Sequence, residues 1–228
     1  MRNLVIVTLA GLAVSGAGIG AAAAMDNRPA CAPVVGAIAT SRELAWDDSD
    51  ILGLSVGGHA TYTRGSDDKV HASGDPQLLA HLQVHDAEVR LDCNGGHFDT
   101  SNLVISLPGR EFKTFAVLGT GFLSLRKLDQ QVLKVTIAGS GSLKGQGRVA
   151  DVDLNIAGTG NADLVEVAAE TAKVQIAGTG NADIAPHEEA DIHIVGSGNV
   201  NLHTSPARVE THVMGSGRVR NLATAGNE

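Results

Sequence analysis

From residue 114 onward, apolar and polar positions alternate in short runs, and each run closes on a Gly-(Ser/Thr)-Gly tripeptide. The tripeptide occurs six times. Its first glycines are Gly119, Gly139, Gly158, Gly178, Gly196 and Gly215, spaced 20, 19, 20, 18 and 19 residues apart. Its second glycines are Gly121, Gly141, Gly160, Gly180, Gly198 and Gly217. Two residues before each first glycine stand Val117, Ile137, Ile156, Ile176, Ile194 and Val213. Four before stand Phe115, Val135, Leu154, Val174, Ile192 and then Thr211. Four after stand Leu123, Leu143, Ala162, Ala182, Val200 and Val219. Six after stand Leu125, Gly145, Leu164, Ile184 and Leu202, with Asn221 breaking the column. A period of two puts such residues on one side of a strand. Aliphatic, mostly β-branched side chains suit a buried pleated surface. Each repeat therefore holds two short strands joined at a glycine corner. A less regular third side follows, with Leu128, Val149, Val167 and Val209 as its interior candidates.

Three short strands and their corners fill a coil of about 19–20 residues, and stacked coils of that length make an all-β parallel β-helix. Each coil buries its interior only against its neighbours. A helical reading fails, because a Gly-x-Gly in every repeat would break any helix. The outward columns support in-register stacking. Five residues before the glycine stand Thr114, Lys134, Asp153, Lys173, Asp191 and Glu210, alternating in sign from Lys134 to Asp191. Rungs lie about 4.8 Å apart, so each lysine is expected between carboxylates. One outward column breaks the polar pattern. Immediately before the glycine stand Leu118, Ala138, Ala157, Ala177, Val195 and Met214, all apolar. Either a corner twist buries this column, or it is a stripe that packs on another subunit or on the leader, since exposed apolar strips mark interfaces.

The first half is less regular. Val56-Gly58-Ala60-Tyr62, Val70-Ala72, Val89-Leu91 and Leu103-Ile105-Leu107 alternate, separated by turn residues such as Gly74-Asp75-Pro76 and Asn94-Gly95-Gly96. They read as imperfect coils of the same rod. Residues 1–24 carry Arg2, an apolar run from Leu4 and a terminal Ala22-Ala23-Ala24, the layout of a secretory signal peptide. Residues 25–41 read as a leader, flexible or edge-covering, 42–222 as the solenoid domain, and 223–228 as a flexible tail. Loss of Arg2 takes the formal charge from −8 to −9. An acidic chain with no Lys/Arg run argues against nucleic acid as a partner. No segment after the signal peptide is expected to span a membrane. Export into the periplasm, the outer envelope or the medium permits a disulfide, and Cys31 and Cys93 are the two cysteines.

The repeated Val-x-Ile-x-Gly-(Ser/Thr)-Gly-x-(Ala/Val)-x-(Leu/Ile), as at 174–184, follows a signal peptide and an irregular β segment. This resembles the bacterial family described as putative auto-transporter adhesin, head GIN domain. Arg42-Glu43-Leu44 and Leu54-x-Val56-x-Gly58 are similar to that domain's opening. The resemblance covers roughly 42–222 and implies a right-handed β-solenoid in an exported bacterial protein. It carries no catalytic residues, and no stalk or membrane barrel of an autotransporter is recognised in this sequence.

Candidate chemistry is sparse. Asp163 and Asp183, with Asn201 in the next rung, offer a carboxylate pair for a polysaccharide-acting enzyme, as do Asp151 and Asp153. Stacked acidic coils produce such pairs generally, and aromatics, the usual sugar platforms, make up only 3%. Calcium β-rolls use a nine-residue period, so Asn161, Asn181 and Asn199 read as a ladder of turn residues. His193 and His212 share an outward register, but no third ligand stands at metal-binding spacing. The expectation is a non-catalytic, adhesin-like or envelope-associated module without cofactor or metal, self-associating or holding a surface glycan or protein. The alternative is a polysaccharide lyase or hydrolase.

Overall fold

The computed structural model describes residues 28–94 and 98–223. The expected signal peptide (1–24), the start of the leader, Gly95-Gly96 and residues 224–228 of the tail lie outside the described residues. The first half supplies β1 (Ser41–Ala45), β2 (Ile51–Leu54), β3 (His59–Thr63), β4 (Lys69–Ser73), α1 (Pro76–His81), β5 (Leu82–His85), β6 (Glu88–Leu91) and β7 (Val104–Leu107). The repeats supply β8 (Thr114–Gly119), β9 (Phe122–Gly139), β10 (Ser142–Gly158), β11 (Asn161–Gly178), β12 (Asn181–Gly196), β13 (Asn199–Leu202), β14 (Arg208–Gly215) and β15 (Arg218–Asn221). No helix among the described residues is long and apolar enough to cross a membrane.

The repeats stack as a parallel β-solenoid. β8 pairs with β9, β9 with β10, β10 with β11 and β11 with β12, all parallel. β13 and β14 then pair parallel to β12, and β15 to β13. Like stands on like: Ile137 on Ile156 on Ile176, and Gly139 on Gly158 on Gly178. The four inward columns are buried through the body of the rod, with Val135, Ile137, Val174, Ile192 and Ile194 fully covered. Among the described residues no polar or charged side chain is buried.

The two corner glycines serve different needs. Gly158 has φ +124°, a region that strains any residue with a Cβ. Gly160 is excluded by space instead. A Cβ there would lie 2.6 Å from the Gly141 carbonyl oxygen and 2.4 Å from Ile137 Cγ2. The rungs are laced at this corner, where the Thr159 amide donates to the Gly139 carbonyl at 2.9 Å.

Three expectations need correction. The third-side candidates do not form one column, although Leu128, Val149 and Val167 are buried as expected: Leu128 and Val167 stand in one column across Gly147, Val149 pairs with Ala169, and Val209 with Ala190. The register shifts on this side, between Gly145 and Gly147 and between Leu164 and Ala169, absorb the 18-to-20-residue variation in coil length. Val209 is 42% exposed because β14 pairs with β12 alone, on one edge. The first half is only partly solenoidal. β2 and β3 continue the rod beneath β8 and β9, and β7 lies parallel to β3. However, β4 runs antiparallel to β1 and β7, and β5 antiparallel to β6. Val56 to Tyr62 is not one strand, because Gly58 turns at φ +99°. Finally, Asp75-Pro76 starts a helix rather than a turn.

The described part of the leader covers this irregular end. The Cys31 amide donates to the Asn94 carbonyl at 2.9 Å, and Gln77 exchanges hydrogen bonds with the Val34 backbone. A disulfide joins Cys31 to Cys93, with Cα atoms 4.9 Å apart.

Candidate functional site

A groove of about 380 Å³ lies along the rod. Arg64 from the turn after β3 and Glu111 from the turn before β8 line one end. Asp129 and Gln130 of β9, Arg148 of β10 and Glu170 of β11 line the rest. Arg64 bridges Glu111 at 3.1 Å and donates to the Asp129 carbonyl. Gln130 donates to the Val132 carbonyl at 2.8 Å, while its Oε1 is buried without a partner. Arg148 and Glu170 are exposed. The groove thus offers guanidinium, carboxylate and amide groups to a polar ligand, with no aromatic platform in its lining. Sequence reasoning missed it. Its residues span positions 64 to 170 and share no motif; only coil stacking brings them together.

The candidate carboxylates are occupied by their own neighbours. Lys144 Nζ lies 3.4 Å from Asp163 and 2.8 Å from Glu166, and these carboxylates, led by the Glu166 hydrogen bond, raise its pKa. Asp183 accepts from Asn201 at 3.0 Å and lies 2.8 Å from His203 Nε2. Asp151 accepts from the Thr171 hydroxyl at 2.7 Å, and Asp153 from Asn155 at 3.1 Å. The expected lysine sandwich is in register, Lys134 beside Asp153 beside Lys173 beside Asp191, but its carboxylates meet partners within their own rungs, Asp153 taking Asn155. Asp191 takes His193 at 3.0 Å.

The asparagine ladder is a chain of hydrogen bonds, Asn199 to Asn181 at 3.0 Å and Asn181 to Asn161 at 2.9 Å. The His193 and His212 rings stack with centroids 4.8 Å apart. A carboxylate, Asp191, does stand beside His193, which the spacing did not suggest. Among the described residues one cluster has three groups at metal-ligand separations: His81, Asp92 and Cys93. The Cys93 sulfur is spent in the disulfide, so the cluster is a structural clip. Its His81 offers Nδ1 to Asp92 at 2.8 Å and Nε2 to the Ala32 carbonyl at 2.9 Å.

The apolar column before the corner faces outward. Leu118, Val195 and Met214 are 37%, 50% and 60% exposed, and Ala157 and Ala177 are exposed, with Ala138 half-buried. Register places all six one above another. The column is one side chain wide, because the neighbouring outward column carries Thr136, Asn155, Gln175 and His193.

The stacked, in-register coils define a parallel β-solenoid. The family model described as "Putative auto-transporter adhesin, head GIN domain" matches residues 87–206, and the chain belongs to that family. Two solved structures share the fold. A putative adhesin from Bacteroides fragilis NCTC 9343 superposes with TM-score 0.60 at 16% identity, covering 80% of this chain and 96% of its own. A putative lipid binding protein from Parabacteroides distasonis ATCC 8503 superposes with TM-score 0.50 at 17% identity, over 80% and 96%. Among curated proteins no sequence matches.

Proposed function

We propose that this chain is an exported, non-catalytic, adhesin-like module that holds a surface glycan on the outer face of its rod. The groove bounded by Arg64, Arg148 and Glu170 carries the reading, because exposed Arg148 and Glu170 converge there with the unpartnered Gln130 Oε1 and the Arg64–Glu111 pair. Paired guanidinium and carboxylate groups suit a hydroxyl-rich, acidic sugar chain. Family membership and the names of the two structural neighbours agree with a binding role. The test is a glycan array with mass spectrometry of the recovered sugars. Binding without turnover, weakened about tenfold or more by Arg148→Ala, is expected. Released fragments would replace the module by a polysaccharide-acting enzyme. Binding indifferent to Arg148→Ala would move the ligand off the groove.

A further inference from the structure

The two ends of the rod are finished differently. One end is covered by the antiparallel strands β1 and β4, by α1 and by the leader. At the other end, all eight residues of β14 are exposed. One rung below, Ala190, Ile192 and Ile194 of the same columns are fully covered. Their counterparts Val209 and Val213 are 42% and 40% exposed, with Thr211 between them. The interior of the solenoid therefore opens onto this end.

The backbone is open there too. In a parallel ladder, alternate residues turn both N–H and C=O to one neighbouring strand, and the residues between turn theirs to the other. The Lys134 amide donates down to the Lys113 carbonyl, and the Lys134 column continues through Asp153, Lys173 and Asp191 to Glu210. Glu210 and His212 thus face β12. Val209, Thr211 and Val213 point their N–H and C=O groups away from the molecule. Such an edge is a template for another strand.

We propose that this end docks a second copy of the chain, with the two β14 strands antiparallel about a two-fold axis through Thr211. That axis pairs residues 208–214 with themselves in reverse. Val209 then meets the partner's Val213, and Thr211 meets the partner's Thr211, both as hydrogen-bonded pairs formed by the free groups. The inward columns of both copies stay inward, so the two cores join. On the outer face, Glu210 stands opposite the partner's His212 and His212 opposite the partner's Glu210. This twofold carboxylate–imidazole match favours a second copy over an unrelated strand. Arg208, hydrogen-bonded to Glu210, already holds that carboxyl below its ordinary pKa, so Glu210 is ionised across the physiological range. The other groups facing the pair are His193 and Asp191 on the rung below. A shift of the axis onto Glu210 or His212 would keep free backbone groups face to face but would set Glu210 against the partner's Glu210, or His212 against the partner's His212, and lose the match.

Sedimentation velocity of the full chain across a concentration series tests the proposal. A dimer is expected. Thr211→Pro removes an N–H that bonds nothing within the copy, so the variant should fold with unchanged circular dichroism and sediment as a monomer. Glu210→Lys should weaken the dimer about tenfold or more, and adding His212→Glu to it should restore the dimer by swapping the charges. A wild-type monomer throughout the series would overturn the proposal. So would a Glu210→Lys defect that His212→Glu leaves unrepaired. Loss of the dimer in Ala157→Lys/Ala177→Lys, with Thr211→Pro still dimeric, would move the interface to the apolar column.

Discussion

Gly158 and Gly119 occupy the same corner position with nearly the same backbone, at φ +124° and +134°. They differ in what lies beneath. A Cβ on Gly158 would stand 2.5 Å from the Gly139 carbonyl oxygen, whereas a Cβ on Gly119 meets nothing within 4 Å. Alanine at Gly119 should cost only backbone strain, about 1–3 kcal/mol. Alanine at Gly158 should cost more, because the rungs must also part. Urea unfolding of the two variants measures the difference; equal losses would sink the role of the rung contact. The sequence made the first demand legible, since a recurring glycine signals a special φ. The crowding beneath Gly158 was not legible. It depends on how closely the neighbouring coil approaches.

At the scale of elements, α1 and the leader show why the first half read poorly. Asp75 caps the helix by accepting from the Gln77 and Leu78 amides at 2.8 and 3.1 Å, with Pro76 in the first turn. Asp-Pro is a helix-start signal. Six residues are too few to show a helical period, so a turn was the simpler reading. His81, the last residue of this helix, fastens the leader. Burial alone would lower its pKa, but the Ala32 carbonyl and the Asp92 carboxylate prevail and hold it above the ordinary value. Both ring nitrogens face acceptors, and only imidazolium donates from both. A group whose folded pKa is raised stabilises fully below its unfolded pKa and loses that contribution as pH rises through the folded pKa. Stability should therefore decline as pH rises from about 6.5, the ordinary histidine value. His81→Gln should flatten that decline in urea midpoints compared pH by pH. An identical pH profile in the variant would remove His81 from the account.

Across the whole molecule, stability should follow position along the rod, since each coil leans only on its neighbours. Ile176 is 2% exposed between Ile156 and Ile194. Ile176→Ala should cost about 2–5 kcal/mol. Val213→Ala, in the same column on the open rung, should cost within about 0.5 kcal/mol in dilute solution. Equal losses would contradict an open end. The sequence by itself determined the coil length, the buried columns, the corners and the parallel register. A solenoid pairs each residue with its like one coil later, so the contact map is written as a period. Tertiary structure alone decided the rest. It set where the register slips, where the Arg64–Glu170 groove lies, how the non-repeating leader and antiparallel strands cover one end, and that the apolar column faces solvent. Each of these depends on residues brought together without a common period, and a periodic pattern carries no record of such meetings.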